Sequence, residues 1–166
     1  DQFFDNVDVF DAFDESLSPA VTRRPGYGID CGFDHKENLL GKAGQLGLYR
    51  DLKVGDANRP LPFPDQSFNS VFSNIVYWLD DPQATIGEIA RILRPGGQAC
   101  LMLPNLTLPE FSFYSQLYAK TKDPKWAFLE KLDRGRFADN IRQARSSVAW
   151  EAMFERTGLR VARHAS

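Results

Sequence analysis

From Tyr27 to Leu103, short apolar runs alternate with stretches whose apolar residues recur at helical spacing. That alternation is the strongest constraint on the chain, because βα units and a parallel sheet produce it and few other folds do. Tyr27-Gly28-Ile29-Asp30 reads as the end of a strand. Asp34 opens D-H-K-E, where a carboxylate can accept from the Glu37 amide while Glu37 reaches back. Leu39, Leu40, Ala43 and Leu46 then predict a helix from about His35 to Leu46, stopped by Gly47.

Leu52-Lys53-Val54 predicts a brief strand running into Gly55-Asp56, and Ser70 to Ser73 a further one running into Asn74. Asp81 and Pro82 form an N-cap and first-turn pair ahead of the stripe Ile86, Ile89, Ala90 and Leu93. The R-P-G-G turn at Arg94 to Gly97 stops that helix and leads into Ala99-Cys100-Leu101-Met102-Leu103, apolar enough for a buried strand. The expected class is therefore α/β, a Rossmann-like, mostly parallel sheet flanked by helices. A helical segment, Pro109 to Arg145, follows the fifth strand of that scheme; it either packs on the sheet or covers a substrate. Its Arg134, Arg136, Arg142 and Arg145 form a basic cluster that usually means a solvated face.

Composition narrows the partners. At 166 residues, with 43% apolar and 13% aromatic residues, the chain suits one domain with one sizeable core. A net charge of -2 gives no electrostatic footprint for nucleic acid, and no apolar run is long enough to predict a membrane span. Cys31 and Cys100 have no neighbouring cysteine or histidine cluster, so neither a disulfide framework nor a metal site is expected. With no signal peptide at the start, a soluble protein of a reducing cytoplasm is expected, with homo-oligomers allowed.

Right-handed crossovers bring the C-terminal ends of parallel strands to one edge, where open α/β sheets bind ligands. Asp30 is the candidate for a ribose diol, because a carboxylate accepts hydrogen bonds more strongly than a neutral group does. Gly32 is the place where a ligand could approach the backbone, and Cys31 lies between the two. Asp56 and the Ala57 amide suit an adenine, with Pro60, Pro62 and Pro64 stiffening the loop that follows. Ser73 and Asn74 end another strand at the same edge. Tyr77 and Trp78 come next, where aromatic faces could attract a cation or pack a substrate. Against each of these stands a plainer role, since Asp commonly caps turns and aromatic residues commonly pack cores.

The ordered set Gly28-Ile29-Asp30, Gly55-Asp56-Ala57, Leu61-Pro62-Phe63-Pro64-Asp65-Gln66-Ser67-Phe68, Ser73-Asn74 and Glu88 to Gly97 resembles a class I S-adenosylmethionine-dependent methyltransferase of the small-molecule type. The resemblance covers roughly residues 26–105, and Ser146 to Val161 resembles that family's late helix and sixth strand. It implies a ribose role for Asp30, an adenine role for Asp56, S-adenosylmethionine as cofactor and direct displacement onto a small-molecule acceptor. No catalytic residue is assigned.

Three features depart from the pattern. No D-x-G-C-G-x-G loop precedes Asp30; either Asn6 to Phe13 is a degenerate first strand, or the true one lies upstream of Asp1, which is the expectation adopted. A seventh strand is also missing, and Asn69 stands where the family has Asp. The expectation is thus a single methyltransferase-like domain over 1–166, shortened at both ends. Two alternatives stay open: a non-catalytic Rossmann-like binding or assembly module, and a nucleotide-dependent dehydrogenase-like domain.

Overall fold

A computed structural model describes residues 21–23, 26–108, 113–128, 133 and 143–165. Asn6 to Phe13, Arg134, Arg136 and Arg142 lie outside these residues, as do the expectations placed on them. The chain divides into two compact units, residues 1–62 and 63–166.

In the first unit, strand β1 (Ile29–Asp34) pairs in parallel with β2 (Tyr49–Val54), and helix α1 (Glu37–Gln45) connects them. The helix ends as its sequence predicts, with Gly47 at φ +63° donating its amide to the Gly44 carbonyl. Its start differs from expectation. The N-cap is Lys36, which makes no side-chain cap, and the Asp34 carboxylate accepts from the Lys36 amide at 2.9 Å rather than from Glu37. The reason is that Asp34 belongs to the strand: β1 runs four residues past Asp30, through Cys31, Gly32 and Phe33.

Gly32 is set by packing within this layer. A Cβ there would stand 2.8 Å from a Leu52 methyl and 3.0 Å from the Tyr49 ring. Both side chains need that space, so a glycine is required under α1 and the backbone is closed to a ligand on that side.

In the second unit, β3 (Phe68–Ser73) pairs in parallel with β4 (Leu93–Leu101), and helix α2 (Pro82–Ile92) links them. Asp81 caps α2 as predicted, its carboxylate accepting from the Ala84 amide at 3.1 Å, with Pro82 in the first turn. Between the pairs Phe68↔Leu93 and Ser70↔Gln98 the R-P-G-G segment bulges out of register. Gly96 there has φ +79°, and a Cβ on Gly97 would lie 2.9 Å from the Arg94 carbonyl and 3.1 Å from that of Asn69. Two successive glycines are what this close backbone turn demands.

Helix α3 (Phe113–Thr121) follows β4, in the region where a helical segment is expected. Helix α4 (Ser147–Glu155) is capped by Ser146, whose hydroxyl accepts from the Ala149 amide. The sixth strand expected after α4 does not form: Leu159 to Ala165 carries no ladder. The core of this unit joins Val76, Ile86, Ile89, Leu93, Trp150 and Met153, with Val71, Leu101 and Leu103 packed against it. Trp150 is buried with its indole N–H satisfied by the Pro104 carbonyl at 3.0 Å. On the opposite face of β3–β4 the alternation of a strand turns Phe72 and Met102 outward, 65% and 57% exposed.

Candidate cofactor-binding site

The parallel pairing of β1 with β2 fixes which carboxylates share an edge. Asp34 is the last residue of β1 and registers with Val54, the last of β2; the Gly55 amide then donates to the Asp34 carbonyl at 2.9 Å. Asp56 follows immediately. Asp34 and Asp56 are therefore both at the C-terminal edge of this sheet. Asp30 is not: it is the second residue of β1, at the opposite end, and its carboxylate is held at 2.7 Å by Arg50. The expectation that Asp30 ends a strand is thus corrected, and Cys31 and Gly32 are likewise mid-strand.

The displaced assignment had a readable signal. Ile29, Cys31 and Phe33 continue a period-2 alternation past Asp30. Counting back from α1, Asp34 leaves a connection of two residues, a usual length for a βα loop, whereas Asp30 would leave six.

Around Asp34, one carboxylate oxygen accepts from the Lys36 amide and stands 3.3 Å from His35 Nδ1. Asp56 folds the start of its loop into an Asx-turn, accepting from the Asn58 amide at 2.8 Å, while the Arg59 amide donates to the Asp56 carbonyl. Ala57 lies in this turn. Arg59 Nε is 4.0 Å from the second carboxylate oxygen, in an exposed pair. Gly55 is required by packing, since a Cβ there would meet the Phe33 ring at 2.7 Å. Cys31 faces inward enough that burial, then the Asp51 charge, raises its thiol pKa, which keeps it a neutral thiol.

In the second unit, Ser73 closes β3, and its hydroxyl accepts from the Ile75 amide at 3.4 Å. Asn74 comes next, as the sequence predicts for a strand end. Tyr77 and Trp78 lie in a short 3₁₀ turn (Val76–Trp78), with ring centroids 5.4 Å apart and Trp78 partly exposed. Val76, in the same turn, is fully buried and anchors it to the core.

The loop that follows Asp56 is fastened at its far end. Arg91, in the last turn of α2, makes a bidentate pair with Glu88 at 2.9 and 2.7 Å and donates to the Asp65 carboxylate at 2.7 Å and to the Phe63 carbonyl at 2.8 Å. The backbone adds two bonds, from Gln66 and Ser67 amides to the Arg91 and Ile92 carbonyls. Arg94 donates to the Gln66 carbonyl and the Asn69 side chain, so the Asn at 69 still serves as an acceptor. The L-P-F-P-D and R-I-L-R-P-G-G motifs are in this way one structural unit.

These acceptors fit part of an adenosyl cofactor. Two carboxylates at adjacent strand ends can accept from a diol and an exocyclic amine. Among the described residues no glycine-rich turn is present to cradle the remaining half. No His, Cys, Asp and Glu grouping among them could hold a metal ion, and none of their helices is long and apolar enough to cross a membrane.

A profile of the methyltransferase domain family matches residues 18–101, just over half of the sequence, and this chain belongs to that family. Among curated relatives, it is 48% identical over 101 residues to a malonyl-[acyl-carrier protein] O-methyltransferase of Hahella chejuensis, covering 60% of this chain and 32% of that protein. It is 35% identical over 92 residues to the ubiquinone/menaquinone biosynthesis C-methyltransferase UbiE of Desulfotalea psychrophila, covering 50% and 37%. The chain thus spans about a third of the length of these relatives. Among solved structures, a Thermotoga maritima S-adenosylmethionine-dependent methyltransferase, a possible histamine N-methyltransferase, superposes with a TM-score of 0.52 at 26% identity, over 78% of this chain and 54% of that one. A chain of the complex between the Haloferax volcanii Trm112 methyltransferase activator and a methyltransferase gives 0.60 at 24% identity, over 83% and 54%, a likeness of fold. The fold is Rossmann-like α/β, and the family implies S-adenosylmethionine as cofactor. The dehydrogenase-like alternative falls to this match.

Proposed function

We propose that the protein containing this chain transfers a methyl group from S-adenosylmethionine to a small-molecule acceptor, within a single methyltransferase-like domain. The observation that carries the reading is the placement of Asp34 and Asp56 at the C-terminal ends of two adjacent, in-register parallel strands. In this reading Asp34, in place of Asp30, receives the ribose hydroxyls. Asp56 accepts from the adenine amine, and Ala57 borders the ring. Ser73 and Asn74 offer polar contacts at the end of β3, and Tyr77 and Trp78 present aromatic faces to the acceptor.

When bound, S-adenosylmethionine would supply a methyl group activated on a sulfonium, open to in-line attack at the methyl carbon with neutral S-adenosylhomocysteine as the leaving group. The protein's own contribution is positioning and exclusion of water. No side chain is assigned as a base. The relatives differ in the atom they methylate, carbon in one and oxygen in another, so they leave the acceptor open. The proposed site of action is the cytoplasm.

Calorimetry of the full-length protein with S-adenosylhomocysteine tests the reading. Micromolar binding supports it; silence, together with a defined protein partner, favours a non-catalytic assembly module.

A further inference from the structure

Of the basic cluster that follows β4, Arg145 is the member among the described residues, and it does not lie on a solvated face. It is half-buried, its amide donates to the Pro104 carbonyl at 3.4 Å, and an isolated parallel bridge joins it to Asn105. Pro104 comes shortly after Leu101, the last residue of β4, and Leu101 registers with Ser73. Arg145 is therefore held at the C-terminal edge of β3–β4, the edge that carries Ser73 and Asn74. The Gln143 side-chain amide donates to the Leu79 carbonyl at 3.4 Å, just beyond Trp78. The stretch from Gln143 to Arg145 thus runs from the aromatic 3₁₀ turn to the end of β4, wholly within the second unit.

The guanidinium is fixed on two sides. It stacks over the buried Trp150 ring, 5.2 Å to the centroid, and Nη1 donates to the Gln143 carbonyl at 3.2 Å. Nε and Nη2 form the remaining edge, a fork of two N–H groups. Among the described residues no acceptor meets that fork and no carboxylate pairs with the charge. The same edge of Arg91 holds the Glu88 carboxylate at 2.9 and 2.7 Å, so the molecule itself shows which anion such a fork takes. Arg145 also directly precedes the Ser146 cap of α4, at the positive end of that helix, where a bare cation is disfavoured and an anion is favoured. Stacking and hydrogen bonding set the guanidinium in place beforehand, so little freedom is lost when an anion arrives.

We infer that Arg145 is an anion-binding residue: its Nε–Nη2 edge takes a carboxylate carried by the acceptor, beside the aromatic surface of the Tyr77–Trp78 turn. The site thereby favours acidic acceptors over neutral ones. The step from carboxylate to acceptor rests on the methyltransferase reading, whereas the anion site stands without it.

Nuclear magnetic resonance of the isotope-labelled, full-length protein tests this. Arginine Nε–H signals are followed while sodium propionate, sodium phosphate or sodium chloride is added at matched ionic strength. The Arg145 signal is the one missing from both Arg145→Lys and Arg145→Gln, so its identification does not depend on one variant. Propionate is expected to shift that signal saturably at millimolar concentration, and chloride is not. Calorimetry is expected to show Arg145→Lys binding propionate roughly tenfold more weakly than the wild type, because an ammonium lacks the fork. No saturable shift with propionate, or one equal to that with chloride, overturns the inference, and a response to phosphate alone overturns the carboxylate assignment. Calorimetry of the wild type with S-adenosylhomocysteine separates the two readings: no binding there overturns the methyltransferase reading and the link to an acceptor, while a saturable propionate shift still upholds the anion site.

Discussion

At the scale of single residues, the cofactor assignment turns on three aspartates. Asp34 and Asp56 stand at one edge of the β1–β2 sheet, and Asp30 at the other beside Arg50. Replacing Asp34 or Asp56 by Asn removes a charged acceptor, a change of about 1.5 to 3 kcal/mol in hydrogen bonding and roughly 10- to 100-fold in S-adenosylhomocysteine affinity. Asp30→Asn is expected to leave that affinity at the wild-type value, because its pair with Arg50 is exposed and remote from the edge. Equal loss in all three variants would argue against this placement. Gly32→Ala provides an independent check on packing: the added methyl meets Leu52 and Tyr49, so overpacking of about 1 to 3 kcal/mol is expected as a lowered denaturation midpoint. The strand-end positions of Asp56, Ser73 and Asn74 are legible in the sequence, because each closes or follows an apolar run that breaks into turn-forming residues. That of Asp34 is not, because a D-x-x-E pattern has two physical meanings, a helix cap and a strand-end acid, and only the strand length decides between them.

At the scale of elements, the sequence was most informative where local chemistry and packing agree. Helix α2 has both: Asp81 and Pro82 at its start, and a stripe of Ile86, Ile89 and Ile92 buried along one side. Asp81→Ala is expected to cost about 1 kcal/mol through the lost cap. Ile86→Ala, at a fully buried site, is expected to cost about 2 to 5 kcal/mol. Chemical denaturation resolves the difference, and a cap that cost as much as the core residue would contradict the packing described. The segment after α4 shows the converse. Leu159-Arg160-Val161 has strand-like composition, but a strand exists only when a neighbour accepts its ladder, and no described strand lies in register with it. Composition cannot report on a partner.

At the scale of the whole molecule, two parallel pairs are unusual units, since parallel strands are normally buried on both faces and in larger sheets. The resemblance in the sequence conveyed the α/β class, but it could not convey how many strands the described residues would pair. A cavity of about 1430 Å³ also runs along β4, walled by Trp150, Phe154 and Leu159. The outward Phe72 and Met102 add further exposed apolar surface along β3–β4. Light scattering of this 166-residue chain is expected to show concentration-dependent association, reduced in the double variant Phe72→Ser, Met102→Ser. An unchanged scattering profile would show that this face is not the adhesive one. The uncovered aromatic and thioether side chains also bear on the life of the polypeptide in a cell. They are what holdases and proteases read, so mild substitutions elsewhere will be felt first as a falling steady-state level, before any loss of turnover per molecule.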